Sequence, residues 1–293
     1  MKAILVSLLA LMLGAGCGQE IGEAPDAPGL MPPYSKAGRS TMESQAVAPP
    51  PTEATGTKGR TFAETKAAAA AGEDEAQYHL GAMYHFGRGI AEDDKEAVKW
   101  YSNAAEQNFS AAQYYLGLMY ASGRGVHKDH KEAIKWYRKA AEQNELKSQY
   151  NLATAYADGR GVTQDKKEAV KWYRKAAEQN HTAAQFSLGL MYHLGRGVEK
   201  NDKEAVKWYL KAAEQNDSIA QTNLGWMYEK GLGIEKGKIS AYVWYNIAST
   251  NGNKHAQSRK SALGEELTPK LIARAEALSI EIRQKIEKNL KKQ

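Results

Sequence analysis

From Asp74 onward, apolar and polar residues alternate with a helical rhythm. Ala76, Leu80, Met83 and Tyr84 fall at i, i+4, i+7 and i+8, one face of an α-helix. A Gly-Arg-Gly follows at 87–89, and then a second stripe begins: Ala97, Val98, Tyr101, Ala104 and Ala105, with Trp100 on its edge. Asp93 and Glu96, three residues apart, carry the pattern of a capping box at the start of that second helix. The expected unit is therefore two helices, 74–86 and 93–108, joined by a glycine turn.

The unit recurs. Trp100, Trp136, Trp172, Trp208 and Trp244 are 36 residues apart, and Leu80, Leu116, Leu152, Leu188 and Leu224 keep the same step. A period of this length means one helical pair stacked repeatedly, each copy burying its apolar face on its neighbours. The five copies span 74–109, 110–145, 146–181, 182–217 and 218–253. The cap pattern returns as Asp129/Glu132, Asp165/Glu168 and Asn201/Glu204 but fails at Gly237/Ser240. Glycine occupies the first and third turn positions in every copy, which predicts positive φ. Gly81, Gly117, Gly189 and Gly225, by contrast, are matched by Ala153. A position that accepts Ala requires small size, so close helix approach is expected there.

The consensus, A-Q-x-x-L-G-x-M-Y-x-x-G-R-G-V followed by D-x-x-E-A-V-K-W-Y-x-K-A-A-E-Q, resembles the Sel1-like repeat, a relative of the tetratricopeptide repeat. That resemblance implies an all-α solenoid: antiparallel helix pairs in a right-handed superhelix, first helices lining the inner, concave surface. Residues 60–73 align with a second helix that lacks Trp-Tyr and suit an N-terminal capping helix. Residues 254–293 start a sixth copy that decays. Thr268-Pro269 then opens a final helix with Leu271, Ala275, Leu278 and Ile282 on one face. Helices of this kind cover the last repeat in similar arrays.

Ahead of the array, residues 1–16 have one Lys, an apolar run from Ala3 to Leu13 and small residues: a bacterial secretory signal. The run is too short for a comfortable membrane span, which needs ~20 apolar residues. The signal ends at Cys17, the only cysteine, so no intrachain disulfide forms. Gly14-Ala15-Gly16-Cys17 resembles a lipoprotein lipobox, although Gly14 stands where that family prefers Leu. Cys17 is thus the expected lipidation site. Gly18 after it implies, by resemblance to enterobacterial sorting rules, the outer membrane facing the periplasm. Residues 17–59, rich in Pro, Ala and Gly, read as a disordered tether.

Charge adds little. Lys plus Arg exceed Asp plus Glu by 40 to 34, and the excess is spread along the chain, unlike the clustered charge of a nucleic-acid binder. No nucleic-acid partner is expected. Motifs for a serine nucleophile elbow, a P-loop or a zinc protease are missing. The seven histidines read as solvated or surface-packed, so neither metal nor cofactor is expected. The Trp-Tyr pairs read as packing residues, the turn arginines as partners of helix ends or acidic neighbours, and the second-helix lysines as a solvated face.

Functional information lies in what differs between copies. On the first helix the variable positions form one stripe: Tyr78, His79, Ala82, His85 and Phe86, then Tyr115 and Leu118, Asn151, Leu190 and His193, Asn223 and Trp226. By the family's geometry this stripe lines the concave groove. Tyr78, His79, Tyr115, Leu118, Asn151, Leu190, His193 and Trp226 are the expected contacts to a protein or peptide partner. The expected function is a non-enzymatic adaptor of the cell envelope: a regulator, a secretion-complex subunit or an immunity protein. The alternative is a cell-wall enzyme, by analogy with cysteine-rich Sel1-like proteins linked to β-lactams. Those carry a disulfide per repeat, and this chain has none.

Overall fold

The computed structural model describes residues 60–292. The expected signal, tether and Cys17 lie outside them. Thirteen helices and no strand occur among the described residues. They form two compact units, one ending at His181 and one starting at Thr182. The first holds α1 (Phe62–Ala70), α2 (Asp74–Phe86), α3 (Asp94–Glu106), α4 (Ser110–Ser122), α5 (His130–Glu142), α6 (Leu146–Asp158) and α7 (Lys166–Glu178). In the second are α8 (Thr182–Leu194), α9 (Asp202–Ala213), α10 (Ser218–Lys230), α11 (Lys238–Thr250), α12 (Lys254–Glu265) and α13 (Pro269–Leu290). Within each unit a first helix packs on its own second helix, and that second helix on the next first helix.

The helix pair is held by a ring on a backbone. Tyr101, Tyr137, Tyr209 and Tyr245 are fully buried, each lying against the mid-helix glycine of its own first helix. A Cβ added at Gly81, Gly117, Gly189 or Gly225 would stand 2.6 to 2.9 Å from the tyrosine ring. The expected close approach is therefore specific: the glycine seats an aromatic ring. In the third copy Ala153 occupies the seat and Tyr173 is slightly less buried, with its hydroxyl 3.1 Å from Thr154 Oγ1.

Helix ends alternate between two residues that tolerate the left-handed region. First helices stop at Gly87, Gly123, Gly159, Gly195 and Gly231, φ +63 to +78°. There the following amide closes back onto the last turn, as Arg88 N–H does onto Met83 O at 2.9 Å. Second helices stop at Asn108, Asn144, Asn180 and Asn216, φ +65 to +71°. Asparagine visits this region more cheaply than other non-glycine residues. Gly72 and Gly252 take the same place at the two ends of the array. The third turn glycine has an additional reason: a Cβ on Gly125 would sit 2.1 Å from Asp94 O of the preceding repeat.

The capping box forms by half. Asp93, Asp129 and Asp165 accept two amide bonds each from the first turn, and Asn201 accepts one. The reciprocal bond is not made, because each cap amide donates instead to a tyrosine carbonyl of the first helix, Asp93 to Tyr84 O at 2.9 Å. Gly237 keeps that backbone bond, to Tyr228 O, without a side-chain cap. The freed glutamates pair with lysines three residues on, Glu132 with Lys135 at 3.3 Å.

A ladder of buried glutamines ties copies together. Gln113 donates to Ala105 O of the previous second helix at 3.1 Å and accepts from Gln143 of its own at 2.8 Å. Gln77, Gln149 and Gln221 repeat the arrangement, the last with Asn251 in place of the second glutamine. At the C-terminal end α13 packs across α11. Thr268 caps it and Pro269 fills the first turn. Its buried face is Ala275, Ser279, Ile282 and Ile286, with Leu271 and Leu278 only half-buried. The face is rotated from expectation because Asn246 Nδ2 donates to Ser279 Oγ at 2.6 Å.

Gly117→Ala gains ~1 kcal/mol of helix propensity but forces the Tyr137 ring aside, an overpacking cost of about 1–3 kcal/mol. The expected outcome is a lower urea midpoint, whereas Ala153→Gly lowers it only by the propensity loss. Gln149→Leu removes one bond to the Ala141 carbonyl and one from the Gln179 amide, leaving Asn144 N–H on the first and Lys175 O for the second, and should cost roughly 1–3 kcal/mol. Hydrogen exchange should then rise first at α6 and α7.

Candidate functional site

In the first unit Tyr78 is buried, with its ring 5.8 Å from Tyr115, 6.0 Å from Tyr101 and 5.2 Å from Phe109. Tyr115 stacks on Tyr101, centroids 5.3 Å apart. Leu118 is half-buried and packs on the same aromatic cluster. Burial holds the Tyr78 and Tyr101 hydroxyls neutral well past the usual tyrosine range. His79 is half-buried, Nε2 3.7 Å from Glu75. Burial lowers its pKa, against the pull of that carboxylate. Asn151 is buried beside the Tyr137 hydroxyl.

In the second unit Leu190, His193 and Trp226 are all buried. The Trp226 ring stands edge-on to His193 at 5.5 Å. The structure thus places six of the eight expected contact residues out of solvent. Only His79 and Leu118 reach the surface. The neighbouring copy decides this, because rings from adjacent first helices meet across the stack. Of the other variable positions on this face, Phe86, Tyr150, Thr154, Ser187 and Glu229 are half-buried. Arg88 lies over the Phe86 ring at 5.3 Å.

The reading of all seven histidines as solvated or surface-packed is corrected at two. His85 Nδ1 lies 2.6 Å from Asp94 Oδ1, and His193 Nδ1 lies 2.6 Å from Asp202 Oδ1, both rings being buried. The two copies are equivalent in register: the first residue of the second helix reaches back to the last turn of the first. His181 stacks on Tyr150 at 4.7 Å, and burial with nearby Lys147 pulls its pKa down to about 4. No three His, Cys, Asp or Glu side chains converge as a metal site among the described residues.

The remaining chemistry faces the second helices. Arg124 bonds Asp94 and Glu92 of the preceding copy at 2.8 and 2.7 Å, as expected of a turn arginine beside acidic neighbours. Lys135 is 58% exposed and paired with Glu132, a solvated face rather than a polyanion groove. Trp136, Trp172 and Trp208 pack with a lysine over each ring, Lys139, Lys175 and Lys211 at 4.1 to 4.3 Å. None of the described helices is long and apolar enough to cross a membrane.

Sequence reasoning missed the glutamine ladder and the two His–Asp pairs. The signal for both was in the chain: a glutamine at one register position in every copy, after Ala in four and Ser148 in the third, and histidine at one register position with aspartate nine residues on.

The Sel1 repeat profile matches residues 74–109, 110–145, 146–181, 182–217 and 218–253. No curated protein matches the chain. Among solved structures, it is similar to a protective antigen of uropathogenic Escherichia coli described as having an SLR fold, 38% identical, TM-score 0.70. That match covers 77% of this chain and 48% of the other, so this chain aligns with about half of that protein. A Sel1 repeat protein from Oxalobacter formigenes is also 38% identical, covering 70% of this chain and 86% of that one, TM-score 0.64. Repeats of this kind generally bind proteins. With five contiguous matches over most of its described length, the chain belongs to the Sel1 repeat family.

Proposed function

We propose that this chain is a non-enzymatic scaffold of the bacterial cell envelope that holds a protein or peptide partner along the first-helix face. One observation carries the reading. Side chains identical between copies, the Leu, Tyr, Gly and Gln of the stack, hold the repeats together, while those that vary share one helix face. What that face presents along most of its length is apolar, aromatic or neutral polar, Phe86, Leu118, Thr154 and Ser187 with His79, its charged members Asp158, Glu229 and Lys230 lying at the C-terminal ends of their helices. Interface centres are depleted in charge and enriched in such groups. The opposite, second-helix face carries Lys135 and Lys207, at least half exposed and already paired to glutamate. This disfavours nucleic acid as the partner. In this reading residues 1–16 direct export and Cys17 carries the lipid. The 17–59 tether lets the array reach from the outer membrane into the periplasm.

Crosslinking capture from the native envelope tests the face. His79→Ser with Leu118→Ser should reduce recovery of the crosslinked partner at least ~10-fold, as loss of interface anchors does, with the unfolding midpoint little changed. Lys135→Ala with Lys207→Ala should leave recovery intact. The reverse pattern would move the binding surface to the second helices. For the anchor, Cys17→Ser should abolish incorporation of labelled fatty acid and shift the chain from the membrane to the soluble fraction.

A further inference from the structure

The asparagines that end the second helices carry a group the stack does not use. Asn108, Asn144, Asn180 and Asn216 hold positive φ, as Gly72 and Gly252 do at the two ends of the array. Glycine enters that region most cheaply, so asparagine calls for a second reason. Part of it is Oδ1. Asn108 accepts there from Gln113 at 3.1 Å, Asn144 from Gln149 at 3.5 Å and Asn216 from Gln221 at 3.3 Å. The nitrogen is left over. Nδ2 of Asn108, Asn180 and Asn216 donates to no group among the described residues, and all three residues are exposed.

Two positions on, the same three copies carry a hydroxyl: Asn108-Phe109-Ser110, Asn180-His181-Thr182 and Asn216-Asp217-Ser218. The stack does not require it, because Leu146 stands at that position after Asn144. Nor does the helix start require it. Phe109 and Asp217 are the N-cap residues of α4 and α10, and Asp217 itself accepts the first-turn amides of its helix. The Ser110 and Ser218 hydroxyls bond nothing among the described residues. Thr182 alone uses its hydroxyl, donating to Gln215 Oε1 at 2.9 Å. An exposed asparagine followed at the second position by Ser or Thr, with no proline between, is the acceptor pattern for N-linked sugar.

We propose that Asn108, Asn180 and Asn216 are N-glycosylation sites that take sugar from a phosphate-activated donor. Nδ2 attacks the anomeric carbon and an N–C bond forms. The bond from that carbon to the phosphate oxygen breaks, and the phosphate leaves with the electron pair. One Nδ2 proton passes to a basic group of the transferase, and nothing is oxidised or reduced. The product keeps Oδ1 as an acceptor, so the bonds from Gln113 and Gln221 survive, and the nitrogen retains one proton. Modification is therefore compatible with the ladder. The sites lie at helix connections, so the assignment is independent of whether the first-helix face holds a partner.

Intact-mass and peptide mass spectrometry of the full chain purified from its native host tests this. Whole-sugar mass additions are expected at Asn108, Asn180 and Asn216, with none at Asn144. Ser110→Ala should remove the addition at Asn108 alone and leave the unfolding midpoint unchanged, since that hydroxyl holds nothing. Leu146→Ser should add a fourth site at Asn144. Deleting residues 1–16 separates the two sources of activated sugar. Loss of the additions means a membrane-carried donor met after export, and retention means a nucleotide-carried donor met before it. An unmodified chain from the native host, an addition at Asn144 in the wild type, or an Asn108 addition that survives Ser110→Ala would each overturn the assignment.

Discussion

One contact recurs in four of the five repeats: a second-helix tyrosine ring lying against a glycine in the first helix. The two helices of a pair lie close enough for the cap amide of the second to bond a tyrosine carbonyl of the first, in the third copy with Ala153 as in the others. The same approach brings the paired glutamines to 2.7 to 2.8 Å of each other in four of the copies. The third copy is the internal control. Ala153 replaces the glycine, and the stack absorbs one methyl group by letting Tyr173 sit slightly further out and bond Thr154. A glycine in mid-helix is a local liability of ~1 kcal/mol, retained because the ring it admits buries far more.

Given that spacing, the repeats divide their side chains by task. Leucine, alanine and tyrosine fill the interior. The glutamine ladder meets the needs of polar groups that stacking would otherwise strand. The second-helix exterior carries Lys-Glu pairs that keep the array in water. What is left, the variable first-helix face, is under no structural obligation to be the same in each copy. Even so, much of it is buried, because a large ring at one level leans on the ring at the next. Variable positions and inter-repeat packing share the same residues, so a substitution at Tyr115 or Trp226 also alters the stack.

The period, the helix pairs, the positive-φ turn glycines and the terminal cap were legible from the chain, because each leaves a mark on spacing or residue type. The partners of polar residues were not. Gln113 looks like a surface residue in a single helix; only the carbonyl of Ala105 in the preceding repeat makes burial favourable. Asp93 and Glu96 have the spacing of a reciprocal cap, yet the amide that would complete it is claimed by Tyr84 O. His85 and His193 sit on a face whose exposure depends on the side chains one repeat away. Asn108 and its equivalents could have been found: asparagine or glycine at one register position, in every copy, signals a left-handed residue. On the variable stripe the shared helix face was foreseeable and the solvent exposure was not.

The bonds that join one repeat to the next have fixed sequence separations. Gln77, Gln113, Gln149 and Gln221 each donate to the carbonyl eight residues earlier, in the preceding second helix, and within a repeat an amide donates to the glutamine thirty residues earlier. Neither separation depends on how many copies come before or after. Unequal recombination that inserts or deletes 36 residues anywhere within the array therefore regenerates every such bond in register. The chain's length is evolutionarily adjustable in whole copies, and its variable first-helix face can be reassembled by shuffling modules that already fit.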